Sequence, residues 1–250
     1  MMNSMIWNRL IDIQNDIIEL FKFTGTEIQE EGMERFNQPG WVNRVWTSKN
    51  YRRAHIDVVD MRESSKLWMM HVCVFPHTDS DAPIFGFDVI AGPNKMTGAF
   101  CDLSATTNPD HEMIKHFATI SSKLEWKRER ELPEWAQAIF SDGMIAAGMV
   151  KEQDEINQIS DAVEQSLLYY LNNVGEHRNT ADREEGRLAQ NRYAHYQKQN
   201  PHTPRVMKSL GLDEDDVDVF VEKCLFPELE EELIKVSGVP YKVNRRDIKL

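Results

Sequence analysis

Five short apolar segments follow one another closely between residues 41 and 105, and this spacing constrains the fold more than any other feature. They cover residues 41–48, 52–62, 67–76, 84–92 and 96–105, and they are rich in Val, Ile, Trp and Phe. Short polar turns such as ESSK and GPNK separate them, as is typical of neighbouring β-strands. Because these links are too short for helical crossovers, the segments predict an antiparallel meander.

Helical patterns lie on both sides of this strand region. Residues 5–22 carry apolar side chains at spacings of three and four, which predicts an amphipathic helix preceding a loop and edge strand in residues 23–40. After the strands, further helices are predicted over residues 108–124, 131–144, 152–174, 187–200 and 214–233. This order predicts an α+β sandwich with an antiparallel sheet at its centre, formed by a single domain spanning residues 1–250.

Composition and charge exclude several classes of protein. The formal net charge of −12 argues against a protein whose main task is to coat nucleic acid. Three scattered cysteines are too few for a disulfide framework, and no run approaches the ~18 apolar residues of a membrane span. With no recognisable targeting signal at the N-terminus, we expect a cytoplasmic protein that does not bind membranes, and nothing in the sequence demands more than a monomer.

Ionisable residues interrupt three of the apolar strands. Asp57 lies two positions after His55, so both side chains point to one face, while His71 and Asp88 lie in the next two strands. If these strands are neighbours, Asp57, His71 and Asp88 can meet on one face of the sheet. Burial raises the pKa of a carboxyl group and lowers that of an imidazole, which brings both toward the range needed for proton transfer near neutral pH.

Two other interpretations of these residues are open at this point. A histidine within a strand is often a hydrogen-bonded core residue, and an aspartate there often caps a bulge or turn. Two histidines and a carboxylate are also a common metal ligand set, but the chain lacks compact motifs such as H-E-x-x-H, so we predict no metal. His77, which follows the third strand segment, is predicted to be a loop residue.

Several longer stretches resemble the ferredoxin-dependent bilin reductases, and most closely the phycocyanobilin:ferredoxin oxidoreductase branch. They are AHIDVV, MHVCVFP, PIFGFDVIAGPNKMTGAFCDLSAT, RERELPEWAQAIFSD and YAHYQKQNPHTPRVMKSLG. The resemblance implies a three-layer α/β/α sandwich whose bilin lies between the sheet and the C-terminal helices. It also implies that reduced ferredoxin supplies single electrons to biliverdin IXα in a radical mechanism, without a bound metal, flavin or nicotinamide.

The resemblance assigns roles to individual residues. Asp88 falls on the family's central catalytic aspartate, and His71 falls on the partner histidine of the phycocyanobilin branch. Arg130 falls on an arginine that holds a bilin propionate, a role suited to its bidentate guanidinium. The stretch QNPHTPR replaces a loop that carries a second aspartate in other branches, and its residues Asn200, His202 and Arg205 are predicted to bind substrate.

Asp57 departs from the pattern of the phycocyanobilin-forming enzymes. They carry a glutamate that protonates the exovinyl group of the D-ring, whereas Asp57 is one methylene shorter and reaches about 1.5 Å less far. The shorter carboxylate favours phycoerythrobilin, formed through 15,16-dihydrobiliverdin, as in divergent members of this branch from viral and metagenomic sequences. Phycocyanobilin is the alternative product, and a protein that binds a bilin without reducing it is the alternative of another class.

An acidic ferredoxin would be repelled by the net charge of this chain, so docking requires a local basic patch. Two stretches are candidates. One contains Lys49, Arg52 and Arg53, and the other contains Lys123, Lys127 and Arg128.

Overall fold

A computed structural model of the chain describes residues 5–37 and 39–230 and contains a seven-stranded antiparallel sheet. The strands lie side by side in the order in which they occur in the chain, so the predicted meander is confirmed. They are β1 (Thr26–Ile28), β2 (Trp41–Thr47), β3 (Tyr51–Met61), β4 (Leu67–Pro76), β5 (Ile84–Gly92), β6 (Lys95–Ser104) and β7 (Ile145–Val150).

The described part of the chain also contains seven α-helices, which precede or follow the main run of strands. They are α1 (Met5–Thr24), α2 (Glu112–Ser121), α3 (Glu134–Gln137), α4 (Gln153–Asn173), α5 (Arg183–Gln197), α6 (His202–Ser209) and α7 (Glu214–Val219). Short 3-10 turns occupy Glu34–Phe36 and Val174–His177, and α7 continues into the π-helical segment Phe220–Leu225. No helix in the described part of the chain is both long and apolar enough to cross a membrane.

The helices cover both faces of the sheet and create two separate hydrophobic cores. On one face, α1, α2 and α4 bury a large cluster that includes Ile13, Trp68 and Leu167. On the other face, α5, the π-helical segment and their neighbours enclose a smaller cluster that includes Tyr193 and Phe220. The expected α+β class and three-layer α/β/α arrangement are therefore confirmed.

Several predicted elements differ from the structure. The helix predicted over residues 131–144 is reduced to the single turn of α3, Glu134–Gln137. β7 was not predicted, because IAAGMV is short and lacks the alternation that marks a strand. The helix predicted from residue 214 changes to π-helical geometry at Phe220, and its predicted last residues, 231–233, lie outside the described range. The Asn-Pro-Asp signal at residue 108 does not cap α2. His111 does, since its Nδ1 accepts a hydrogen bond from the amide of Met113.

A glycine in the middle of β5 allows α5 to approach the sheet closely. A Cβ atom added at Gly86 would lie 3.0 Å from the hydroxyl oxygen of Tyr193 on α5. This hydroxyl also accepts a hydrogen bond from Gln197, at 2.8 Å. Gly86 therefore makes room for the Tyr193 side chain of the second helical layer, two residues from Asp88.

Candidate active site

The three predicted catalytic residues form one row across the sheet. In the strand register, Asp57 of β3 pairs with His71 of β4, and His71 pairs with Asp88 of β5. Asn43 and Phe100 extend the row at its two ends. Directly opposed side chains in an antiparallel sheet have Cβ atoms about 4.5–5.5 Å apart. The sheet thus places His71 between the two aspartates, as the sequence predicted for neighbouring strands.

Burial along β5 shows that this row faces a partly open region of the molecule. Phe85, Phe87 and Val89 point to the core under α1 and α4 and are fully or nearly fully buried. Asp88 and Ile90 point to the opposite face and retain partial exposure. The ionisable face is thus partly accessible at His71 and Asp88, whereas Asp57 is 1% exposed.

Asp57 accepts a side-chain hydrogen bond from Trp41 of the neighbouring strand. The indole Nε1 of Trp41 donates a hydrogen bond to its Oδ1 at 2.5 Å, and the Trp41 ring packs edge-on against Phe220. Burial raises the pKa of Asp57 to about 7, the indole hydrogen bond opposes this rise, and the charge of Asp88 adds to it. Asp57 can therefore gain or lose a proton near neutral pH.

The pKa values of Asp88 and His71 are shifted in opposite directions, because burial disfavours the charged form of each group. Burial raises the pKa of Asp88 to about 7, and the amide of Val89 partly opposes this rise. Burial and the charge of Arg53 lower the pKa of His71 to about 4, so its imidazole is neutral at pH 7. The Nε2 atom of His71 is buried and has no hydrogen-bond partner among the described residues, and Phe226 contacts its ring edge-on.

A second buried histidine lies one step further along the same face. Nε2 of His55 lies 2.7 Å from Oδ1 of Asn43, and Nδ2 of Asn43 donates to Sγ of Cys224 at 2.8 Å. Because Oδ1 can only accept, the proton of His55 lies on Nε2, and its buried Nδ1 has no hydrogen-bond partner within the described ranges. Burial and the charge of Arg53 lower the pKa of His55 well below its usual value.

Trp41, Asn43 and Cys224 were not among the predicted site residues. Trp41 and Asn43 lie two positions apart in β2, so their side chains point to one face of the sheet. This spacing is the sequence pattern that could have identified them. Cys224 is distant in sequence, and no pattern linked it to His55.

Arg130 lies at the edge of the same face, beside the open end of the row. Its side chain passes over two paired glycines, Gly98 of β6 and Gly148 of β7, whose missing side chains make room for it. Its Nη2 donates to the carbonyl oxygen of Thr97 at 3.0 Å, and the residue is exposed. The guanidinium is therefore accessible to an anionic group that approaches Phe100 and Asp88 from this edge.

The predicted substrate-binding residues of the QNPHTPR stretch lie at the start of α6. Oδ1 of Asn200 accepts a hydrogen bond from the amide of His202 at 3.0 Å, so Asn200 is engaged in the turn that begins this helix. The side chains of His202 and Arg205 are exposed. α6 belongs to the helical layer that covers the ionisable face, but the role of these three residues stays a prediction.

One of the two candidate docking patches is not a cationic surface. Arg53 is 4% exposed, pairs with Glu30 and donates to a backbone carbonyl oxygen. Arg52 donates to Gln190, and its guanidinium stacks over the ring of Phe75. Their basic charges are thus engaged by the interior of the fold, and of this patch only Lys49 is exposed.

The other patch lies on the surface. Lys123, Lys127 and Arg128 are all exposed, in the segment that leads from α2 toward β7. Lys127 approaches Glu152, with 3.3 Å between Nζ and Oε1, and Glu125 and Glu129 lie between the basic residues. This patch presents basic groups without a large net positive charge.

His77 occupies the turn after β4, as predicted. Its Nε2 lies 3.0 Å from the carbonyl oxygen of Ser48, and it takes no part in the row. The row itself does not bring three metal-ligating atoms within 4.8 Å of one another. Within residues 5–37 and 39–230, the one group that does so is Asp81, His111 and His177, which lies elsewhere.

Comparison with known proteins identifies relatives over most of the chain. A family model described as "Ferredoxin-dependent bilin reductase" matches residues 11–227. The phycocyanobilin:ferredoxin oxidoreductase of Synechococcus sp. (strain CC9605) is 29% identical over 196 residues, covering 75% of this chain and 77% of that protein. The protein of that name from Prochlorococcus marinus (strain MIT 9515) is 26% identical over 201 residues, covering 79% of each.

Two solved structures are similar in fold. One, the structure of a PcyX protein, is 37% identical and has a TM-score of 0.68. The match covers 88% of this chain and 99% of that protein. The other is tomato phytochromobilin synthase in complex with biliverdin, with 16% identity, a TM-score of 0.69 and coverage of 85% of this chain and 82% of its own. At that identity, the tomato enzyme supports the fold alone.

Proposed function

Because the chain belongs to the ferredoxin-dependent bilin reductase family and is an oxidoreductase, we propose that it reduces biliverdin IXα by four electrons to phycoerythrobilin. The observation that supports this most strongly is the row of Asp57, His71 and Asp88, in which the pKa values of the buried Asp57 and the partly exposed Asp88 are both raised to about 7. Binding alone requires no such groups. A reductase requires them, because each electron added to a conjugated tetrapyrrole must be accompanied by a proton.

We place the bilin over the partly exposed face of the sheet, beneath the layer of α5, α6 and the π-helical segment. Four electrons from reduced ferredoxin and four protons convert biliverdin to either phycobilin, in two steps of two electrons and two protons. Asp88 and neutral His71 exchange protons with the pyrrole system, and the unpaired Nε2 of His71 is available for a hydrogen bond to it. Arg130 holds a propionate at the edge of the sheet.

Phycoerythrobilin is preferred over phycocyanobilin because of Asp57. Its side chain is shorter than the glutamate of the phycocyanobilin-forming enzymes, and the Trp41 hydrogen bond engages Oδ1. When Asp57 is protonated, the proton therefore lies on Oδ2. The expected order is reduction to 15,16-dihydrobiliverdin first, followed by a second step in which Asp57 supplies a proton.

The function is tested by anaerobic incubation with biliverdin IXα, ferredoxin and a reducing system, followed by absorbance spectroscopy and chromatography. We expect 15,16-dihydrobiliverdin to accumulate and then to be replaced by phycoerythrobilin. A phycocyanobilin product would overturn the product assignment. A stable complex with unreduced biliverdin would identify the chain as a bilin-binding protein instead.

Trp41→Phe tests the proposed role of the indole as a positioning group for Asp57. Phenylalanine keeps a ring in contact with Phe220 but removes the donor that stabilises the charged carboxylate, so the pKa of Asp57 rises further. If protonated Asp57 is the donor, turnover falls as the pH increases through this pKa. In the variant, we expect this fall to occur roughly one pH unit higher, as loss of a hydrogen bond to a charged group implies.

The measurement is the pH–rate profile of the second reduction step in wild type and variant. Lost packing alone would lower the rate at every pH without moving the profile. An unmoved profile would therefore show that Trp41 does not control the proton of Asp57.

Reversing charge at Lys127 and Arg128 tests the remaining docking patch. Because electrostatic attraction mainly accelerates encounter, Lys127→Glu with Arg128→Glu should slow ferredoxin-driven turnover about tenfold at low salt, and less at high salt. Biliverdin affinity, measured by absorbance titration, should not change. A matched reversal at Lys22 and Lys115, two exposed residues of α1 and α2 outside this patch, controls for net charge, and equal slowing in both variants would exclude a local patch.

A further inference from the structure

Asp81, His111 and His177 converge outside the proposed active site, at the end of the sheet where β4 turns into β5. Asp81 lies in that turn, His111 precedes α2 and His177 ends the 3-10 turn after α4. Nε2 of His111 lies 3.2 Å from Nδ1 of His177 and 3.5 Å from Oδ1 of Asp81. Nδ1 of His177 lies 3.8 Å from the same oxygen.

These separations have the size that a small transition-metal ion requires. In the plane of the three atoms, the point equidistant from them lies roughly 2.0 Å from each. This is the usual length of zinc–nitrogen and zinc–oxygen bonds. His111 is 3% exposed, while the side chains of His177 and Asp81 are 16% and 19% exposed, so one side of the group is open to solvent. That side leaves room for a water molecule as a fourth ligand.

The surroundings orient two of the three side chains in the way that metal sites usually do. Nε2 of His177, the atom turned away from the group, lies 3.5 Å from Oε1 of Glu112, which gives a carboxylate–histidine pair. Asp81 accepts hydrogen bonds from Thr180 at 2.7 Å and from Asn108 at 3.1 Å. The segments are also joined independently of the group, since Arg178 pairs with Asp79.

From this geometry, we propose that Asp81, His111 and His177 form a binding site for one zinc-class divalent ion, which links the β4–β5 turn to α2 and to the segment after α4. This site is separate from the reductase chemistry and differs from the sequence-based expectation of no metal. The main energetic cost of binding the ion arises at His111. Its Nδ1 accepts the amide hydrogen bond of Met113, so in the neutral ring the proton lies on Nε2. When the ion takes Nε2, this proton moves to Nδ1 and the amide loses its acceptor.

Titration of the metal-free protein with Zn²⁺ by calorimetry at pH 7.5 tests the proposal, and Co²⁺ provides a visible spectrum. We expect one Zn²⁺ per chain, Co²⁺ bands typical of four-coordination, and a thermal midpoint that rises with Zn²⁺ concentration. His177→Ala and Asp81→Asn should each weaken binding at least tenfold. His195→Ala, which removes an exposed histidine of α5, should bind Zn²⁺ as the wild type does.

Absence of binding at a Zn²⁺ concentration on the order of 0.1 mM would overturn the proposal. His111 and His177 would then be a hydrogen-bonded pair without a metal. Equal binding by wild type and His177→Ala would also overturn it, by placing the ion elsewhere. Biliverdin turnover by His177→Ala should match that of the wild type, so failure of this site and failure of the proposed reductase function give different results.

Discussion

Asp88→Asn is expected to slow biliverdin reduction by about 10²–10⁴-fold, the usual contribution of a positioned proton donor or acceptor. Asparagine has nearly the shape of aspartate but cannot exchange a proton, so electrons from ferredoxin would enter a bilin that cannot be protonated at the right position. The reaction should stop at a one-electron-reduced radical, visible by absorbance and by electron paramagnetic resonance. Biliverdin affinity should stay within a few-fold of the wild type.

The folding stability of Asp88→Asn controls for loss of activity through unfolding. The pKa of Asp88 is about 7 in the folded protein and close to 3.8 in the unfolded chain, so the folded state binds more protons between these values. The contribution of Asp88 to stability is therefore present at low pH and is lost as the pH rises through 7. Asparagine carries no ionisation cost, so the variant should be at least as stable at pH 8. Wild-type turnover in a folded Asp88→Asn protein would remove Asp88 from the mechanism.

Asp57→Asn should separate the two reduction steps. We expect 15,16-dihydrobiliverdin to form at a rate close to that of the wild type and to persist, because the second step lacks its donor and slows by about 10²-fold or more. Chromatography of the product over time measures both rates. Loss of the first step together with the second would contradict an assignment of Asp57 to the second step alone.

Asp57→Glu tests whether the length of the side chain at this position decides which phycobilin is formed. Glutamate restores the length found in the phycocyanobilin-forming enzymes and extends the carboxylate by about 1.5 Å. A product mixture shifted toward phycocyanobilin would show that reach at this position contributes to the outcome. Unchanged phycoerythrobilin would mean that the rest of the pocket sets the product.

The sheet could be predicted from the sequence because its strands are consecutive and its polar residues interrupt apolar runs. The pairing of Asp57 with His71 and Asp88 depends on register, which the short turns between β3, β4 and β5 largely determine. β7 was missed because its small residues carry no alternation, and its pairing with β6 depends on contacts between residues more than 40 positions apart.

Burial by the second helical layer explains why the sequence did not predict the environments of Arg53 and Asn43. Arg53 appeared to be a surface cation, but the fold buries it beside Glu30 and the carbonyl oxygen of Cys224. Local sequence could not indicate this burial, because Cys224 lies 171 positions away. For the same reason, the contact between Asn43 and Cys224 became visible only with the folded chain.

The close approach at Gly86 has a consequence for how new substrate preferences can arise in this scaffold. A single methyl group at this position would lie 3.0 Å from the hydroxyl oxygen of Tyr193, which would have to shift by a few tenths of an ångström. The packing of Tyr193 against β5, two residues from Asp88, is thus adjustable without altering the ionisable row. Shape selection and proton chemistry are carried by different positions of the same strand, so each can vary while the other is retained.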